Sequence, residues 1–450
     1  MLNLKKSSLA KGTVILTVAG LLTRVLGFFY RIWLSDRLGS ELLGIYQMIF
    51  PISGVCYTIY ASGIQTAISK LTAEKKSGVS LFFHGLTVSL FLSLLLSLLV
   101  YETAPLLATR FLFEERTVTP LRILSFMFPF GAVTACCNGY YYGKSNSRFP
   151  AVSQLTEQVI RIVCAYVLAT FVNGITFSCE LAVLVLVFGE AASAVLSLIS
   201  FLATECRQHR PLFSRHGGSR YALHTHIKKE QFASISMLAL PLGFHRLIIN
   251  LLHSFEATLV PFTLQQSGLT KSDAISKFGI LNGMAFPFIF FPTALTGSLS
   301  VLLLPAVSRA KGEGNTDYLK KVIRLSLAFS LGLGTVCTIC FLVSGKSLGN
   351  LVFHEPLAGE YLVILAWLCP FLYLSSTLSS ILNGLGKVYV TFSVSVLSLV
   401  LKIGCLLLFV PRFGMPAYFA SLLLSQAFAT VAEGIVLITT QTAYSGTRNN

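Results

Sequence analysis

This 450-residue chain is short of charge. Only 12% of its residues are Asp, Glu, Lys or Arg, about half of the ~25% usual in soluble domains, and just 18 of them are acidic. With 54% hydrophobic residues beside so few charges, the chain is neither disordered, nor a coiled coil, nor a soluble two-domain enzyme. Catalytic signatures are missing as well. No G-x-x-x-x-G-K-[ST] occurs: Gly143-Lys144-Ser145 has Asn138 where the first glycine belongs, and Gly345-Lys346-Ser347 has Cys340 there. Neither G-x-S-x-G nor H-E-x-x-H is present, and the longest outward loop, about 105–118, leaves no room for an extracytoplasmic catalytic domain. The chain is therefore expected to be no enzyme and to carry no cofactor.

Metal chemistry is equally short of ligands. The ten cysteines are scattered through apolar runs, and the one Cys-x-x-Cys, Cys337 with Cys340, has neither a histidine nor a second pair nearby. His209, His216, His224 and His226 share a basic polar stretch, but their spacing matches no zinc pattern. No metal site is expected.

What is present is apolar length, at a mean hydropathy of +0.74. A bilayer core about 30 Å thick needs roughly 20 apolar helical residues. Twelve segments meet that length, from 13–34 and 43–69 at the start to 416–440 at the end. Because the runs are continuous rather than alternating, a transmembrane barrel is excluded. Loops on the side of the N-terminus hold 20 of the 34 Lys and Arg, whereas the opposite side holds only Arg37, Arg110, Arg116, Lys271, Lys346 and Arg412. That asymmetry puts both termini in the cytoplasm. It also assigns the net charge of +16 to topology and membrane lipid rather than to nucleic acid.

The polar stretch 205–230 divides the spans into two sets of six. The expected fold is all-α and polytopic: a six-helix bundle over 1–204, a cytoplasmic basic linker over 205–230, and a second six-helix bundle over 231–450. Echoes about 240 residues apart support a duplication. Ala67-Ile68-Ser69-Lys70 ends span two and Ala306-Val307-Ser308-Arg309 ends span eight, while Asn138-Gly139 and Asn383-Gly384 close spans four and ten. Six is an even number, so the halves share one orientation, as in transporters that bind substrate between two rocking halves.

Embedded charges mark the candidate site. Arg24 lies about 16 Å into span one, where a basic residue costs roughly 2.5–3.5 kcal/mol. Gly20, Arg24, Gly27 and Arg31 fall at about 0°, 40°, −20° and 20° around that helix, one stripe of small and cationic side chains. Span seven carries Arg246, Asn250 and His253 in a similar stripe, preceded by Pro241 and Gly243. A buried structural arginine bound to backbone carbonyls is one reading of such a stripe. The functional reading is a cationic cavity between the bundles that receives an anionic group, with phosphate favoured because guanidinium forks match its oxygens. Glu157 and Arg161 stand four apart with the acid first, the favourable order for a helical pair. Glu190, Glu256, Lys402 and Glu433 are further embedded charges. Lys402 and Glu433, at depths of about 12 Å and 26 Å on neighbouring spans, are not paired, and Glu256 is either a proton site or a structural partner. Arg122, Lys277 and Arg324 lie near helix ends, reach water by snorkelling and are assigned no role.

Several stretches carry a resemblance. Thr23-Arg24-Val25-Leu26-Gly27-Phe28, Ser62-Gly63-Ile64-Gln65-Thr66-Ala67-Ile68-Ser69-Lys70-Leu71, the run Pro150 to Val163, Pro241 to Glu256, Phe278 to Met284 and Phe291 to Ser308 resemble the sporulation branch of the polysaccharide flippase family. The resemblance implies membership of the multidrug, oligosaccharidyl-lipid and polysaccharide exporter superfamily and a MATE-like fold that alternates access between two bundles. Lipid II flippases of that superfamily share R-V-L-G-F in span one, and their first motif arginine maps onto Arg24. Their second falls on Tyr30, with Arg31 one residue later, and their other cavity arginines, in spans two and eight, have no counterpart here, so the resemblance implies a polyprenyl-diphosphate-linked sugar rather than lipid II in particular. Typical relatives have fourteen spans, two more than are expected here.

The expected function is therefore a flippase for a lipid-linked anionic sugar, a precursor of peptidoglycan or polysaccharide, with Arg24, Arg31, Arg246, Asn250 and His253 as substrate-binding residues. Glu157, Arg161, Glu190 and Glu256 are expected to be coupling or structural charges, and cell-wall synthesis proteins are expected partners. Two alternatives stand beside it: a proton- or sodium-coupled exporter of organic cations, and a non-transporting scaffold of a wall or sporulation complex.

Overall fold

A computed structural model describes residues 2–74, 78–171, 177–209 and 229–446. Residues 210–228 of the linker, with His216, His224 and His226, lie outside the described residues. Nearly every described residue is helical and none is in a strand. Ten helical stretches are long and apolar enough to cross a bilayer, or eleven if Glu115–Ser125 and Met127–Gly143, bent by 43°, form one span. The protein is a multi-pass membrane protein. One stretch, Val18–Ala73, covers the first two predicted segments; its 56 residues amount to about 84 Å of helix, far more than one bilayer crossing.

The helices in chain order are α1 (Leu2–Met48), α2 (Phe50–Tyr57), α3 (Gly63–Ala73), α4 (Gly78–Leu106), α5 (Val118–Ser125), α6 (Met127–Gly143), α7 (Arg148–Phe171), α8 (Cys179–His209) and α9 (Lys229–Gln266). They continue with α10 (Lys271–Gly279), α11 (Phe286–Phe290), α12 (Thr293–Gly312), α13 (Thr316–Phe353), α14 (Pro356–Leu365), α15 (Cys369–Gly384), α16 (Val388–Phe413) and α17 (Met415–Gly446). Local chemistry sets several of the boundaries. Thr270 caps α10 by accepting from the Asp273 amide at 3.2 Å, Asn315 caps α13 by accepting from the Tyr318 amide at 3.0 Å, and Pro356 opens α14. Gly414, at φ +64°, separates α16 from α17.

By packing, the chain forms two units that interleave in sequence. The first comprises residues 1–27 and Met48–Leu251; the second comprises Phe28–Gln47 and residues 252–450. Helices α1 and α9 thus contribute to both.

Within lipid, burial of apolar surface does not draw helices together, so small residues and hydroxyl pairs must do so. In the first unit, Ser153 of α7 meets Ser193 and Ser197 of α8 at 2.6 and 2.8 Å, and Phe82, Tyr140 and Phe201 form an aromatic centre with Phe82 stacked on Phe201 at 3.9 Å. In the second, Ser330 of α13 meets Thr377 of α15 at 2.5 Å beside a core of Leu303, Val307, Ile323, Ile381 and Leu382.

The duplicated motifs make equivalent contacts inside each unit. Gly139 of α6 packs on α3, where an added β-carbon would stand 2.6 Å from the Gln65 carbonyl oxygen. Gly384 of α15 packs on α12, where one would stand 3.0 Å from the Leu304 carbonyl oxygen. The second span of each half is also interrupted at the same register, at Met48-Ile49-Phe50-Pro51 and at Ile289-Phe290-Phe291-Pro292, about 240 residues apart. Proline has no amide hydrogen and clashes with the carbonyl four residues earlier, so the helix ladder opens there. In the second unit the Ile289 carbonyl accepts from the Tyr373 hydroxyl at 2.8 Å.

Candidate functional site

Between α2 and α3 the chain makes a π-helical turn, Thr58–Ser62. A π-turn widens the helix by one residue and leaves carbonyls and hydroxyls in need of new partners. Three neighbours supply them. The Ser89 hydroxyl donates to the Tyr60 carbonyl at 2.6 Å. Asn250 donates to the Thr58 hydroxyl at 2.5 Å, and Arg246 donates through one terminal nitrogen to the Ser62 hydroxyl at 2.7 Å. Gly243, one turn earlier on α9, lies beside Gly63, where an added β-carbon would make an ordinary contact at 3.9 Å. Two of the five predicted binding residues, Arg246 and Asn250, are thereby fixed on one short stretch of span two, all within the first unit.

Beside them lies a second polar group. On α7 the Arg161 guanidinium pairs with Glu157, the partner its four-residue spacing predicts, and donates to the Gln158 side-chain oxygen at 3.2 Å. Glu190 of α8 sits within electrostatic reach of Glu157 and Arg161 and beside Thr134. The approach of α8 depends on Gly189, where a β-carbon would come within 3.0 Å of the Glu157 carbonyl oxygen. Tyr57 links the two groups: its ring is within electrostatic reach of both Glu190 and Arg246, and its hydroxyl donates to Gln65 at 3.2 Å. Two donors in this group, the Gln158 amide nitrogen and the Arg161 Nε, are buried without a hydrogen-bond partner.

Arg24 stands on the part of α1 that belongs to the first unit. Gly27, on the same stripe, lies against the Gln158 side chain. The Arg24 side chain is exposed and makes no hydrogen bond or ion pair with another described residue. Arg246 likewise has no carboxylate partner among the described residues. A guanidinium carries five N–H donors, so both retain capacity for an anionic ligand.

Arg31 and His253 fall in the second unit. Arg31 is exposed, while His253 turns to Glu256, its Nδ1 3.4 Å from the carboxylate. Glu256 has stronger partners: Lys402 Nζ of α16 at 2.7 Å and the Tyr418 hydroxyl of α17 at 3.1 Å. Glu433 instead accepts from Ser375 at 3.2 Å and Ser379 at 2.5 Å, so it and Lys402 are separate, as their depths predict. Sequence reading missed Thr58, Ser62, Tyr57 and Gln158. The signal was faint: four polar side chains in spans where hydroxyls and amides commonly serve only packing. Among the described residues no cluster of three metal-ligating side chains exists.

Residues 9–268 match the family model described as polysaccharide biosynthesis protein, and residues 254–407 match the MatE model. Three proteins of Bacillus subtilis (strain 168) are similar along most of their length. Stage V sporulation protein B is 27% identical, over 96% of this chain and 82% of that protein. Sporulation protein YkvU is 24% identical, over 85% and 84%, and lipid II flippase MurJ is 22% identical, over 98% and 84%. Among solved structures, the inward-facing conformation of a multidrug resistance MATE family transporter of the MOP superfamily aligns at a TM-score of 0.74 with 14% identity, covering 94% of this chain and 96% of the other. A MOP superfamily transporter from Pyrococcus furiosus aligns at 0.60 with 14% identity, covering 97% and 96%. The fold is MATE-like.

Proposed function

Because the chain belongs to the polysaccharide biosynthesis protein family, as a MOP-superfamily membrane flippase or transporter, we propose that its cargo is a polyprenyl-diphosphate-linked sugar, carried across the cell membrane by alternating access. The sugar belongs to a precursor of peptidoglycan or of another wall polysaccharide, in keeping with the sporulation proteins and the lipid II flippase among its relatives. The termini face the cytoplasm, and wall-synthesis proteins are its partners.

One observation carries this reading. Arg24 and Arg246, both in the first unit, are cationic side chains within membrane-crossing helices, and no described carboxylate neutralises either. An embedded guanidinium needs a counter-charge or water, and a diphosphate presents several oxygens to its fork. Ser62 orients Arg246, and Asn250 secures the same stretch of α9 through Thr58. Arg161, already paired with Glu157, holds the helices rather than the cargo.

The test is leaflet accessibility of a fluorescent undecaprenyl-diphosphate sugar in vesicles containing the purified protein. Arg24→Ala or Arg246→Ala lowers the translocation rate at least about tenfold, in line with the ~1.5–3 kcal/mol that a hydrogen bond to a charged group contributes. Organic-cation export predicts the reverse: Glu190→Gln or Glu256→Gln abolishes transport and the arginines are dispensable. Full translocation by the double arginine variant defeats the cargo assignment, and a scaffold predicts no translocation by any form.

A further inference from the structure

Lys277 and Glu360 face one groove in the second unit and do not pair with each other. The groove, of 460 Å3, runs between α10, α14 and the start of α17, and its walls include Tyr361, Ile364, Trp367 and Phe419. Tyr361 and Phe419 pack edge to face at 5.0 Å, while Ile364 and Trp367 are exposed along the groove. Lys277 is half-buried and Glu360 exposed, and neither forms an ion pair with another described residue. Lys277 stands in the last turn of α10 and Glu360 a single turn after Pro356 at the start of α14. From Leu357 to Leu368 the lining follows about 16 Å of helix, the depth of one leaflet of a hydrocarbon core about 30 Å thick. The groove therefore carries one side chain of each charge beside an apolar wall about one leaflet deep.

We infer that this groove binds a phospholipid with a zwitterionic amine headgroup, of the phosphatidylethanolamine type. The phosphate sits on the Lys277 ammonium, the lipid ammonium donates to the Glu360 carboxylate, and one acyl chain lies along Trp367 and Phe419. Charge complementarity selects this occupant. An anionic lipid without an amine meets Lys277 favourably but is repelled by Glu360, and a polyprenyl phosphate leaves Glu360 without a partner. A choline headgroup brings positive charge but no N–H to donate. Snorkelling alone accounts for Lys277 at a helix end but not for an acid on the same groove.

The test is native mass spectrometry of the full-length protein in mild detergent, incubated with equal amounts of phosphatidylethanolamine, phosphatidylglycerol and undecaprenyl phosphate. The expected result is one retained phosphatidylethanolamine, preferred about tenfold over phosphatidylglycerol, the worth of one charge-assisted hydrogen bond. Glu360→Gln brings the two phospholipids level, and Lys277→Gln lowers retention of both by a similar factor. Ala420→Trp, which places an indole inside the groove, removes the adduct while the helical signal stays unchanged. Should the tryptophan variant fail to fold, the selectivities of the glutamine variants decide. Equal retention of the two phospholipids by the unaltered protein overturns the inference. So does an adduct that survives in folded Ala420→Trp, a preference for undecaprenyl phosphate, or no retained lipid.

Discussion

Replacing Lys402 by Met tests whether the ion pair inside the second unit holds that unit together. The ammonium lies 2.7 Å from the Glu256 carboxylate, and both side chains are nearly buried, at 12% and 10% exposure. Methionine keeps the length and apolar stem of lysine but removes the charge, leaving Glu256 with the Tyr418 hydroxyl at 3.1 Å and His253 at 3.4 Å. Breaking one side of a buried pair costs about 3–5 kcal/mol, because the remaining charge is stranded in a low-dielectric interior. At about 2–4 °C per kcal/mol for domains of 150–250 residues, the melting temperature should fall by roughly 6–20 °C. The assay is the loss of helical signal on heating the detergent-solubilised protein, at one fixed scan rate because unfolding of such proteins is irreversible. Glu256→Gln combined with Lys402→Met removes both charges and leaves an amide that Tyr418 can still bond. That double variant should recover more than half of the loss. If Lys402→Met melts within about 2 °C of the parent, or the double variant is as unstable as the single, the pair is not structural.

Three further outcomes follow from individual contacts. Gly139→Leu drives a side chain against the Gln65 carbonyl and should destabilise the first unit by about 1–3 kcal/mol or more, read as a drop in melting temperature; an unchanged value contradicts the close α3–α6 packing. Tyr373→Phe leaves the Ile289 carbonyl without its donor and should cost about 1–3 kcal/mol, whereas Tyr389→Phe, on an exposed ring, serves as the neutral control in the same melt. Arg246→Lys keeps the charge but loses the fork that spans Ser62 and a ligand, so in the vesicle assay it should lie between the parent and Arg246→Ala; full activity shows that a point charge suffices.

The all-helical membrane fold was legible because length and polarity alone decide it: roughly 20 apolar residues per crossing leave few alternatives. The Glu157–Arg161 pair was legible because it is local, four residues apart on one helix. Lys402 and Glu256 were not, since their helices are far apart in the chain and the span next to that of Lys402 carries another acid, Glu433. The seats of Arg246 and Asn250 were hidden for a related reason. A π-turn has no composition of its own, and Thr58 and Ser62 read as ordinary small residues of an apolar span. Even the interruptions at Pro51 and Pro292 lay unnoticed inside runs that hydropathy treats as unbroken.

Those two interruptions have a mechanical consequence. Bending an intact helix means stretching or rupturing rungs of its amide ladder, which in lipid find no water to replace them. At Pro51 and Pro292 the rung is absent from the outset, and at the second the Ile289 oxygen is already served by a phenol on another helix. Each second span therefore owns a crease where its direction can change without sacrificing backbone bonds. At these two matching places a change of direction costs the chain fewer backbone bonds than it does along an unbroken span.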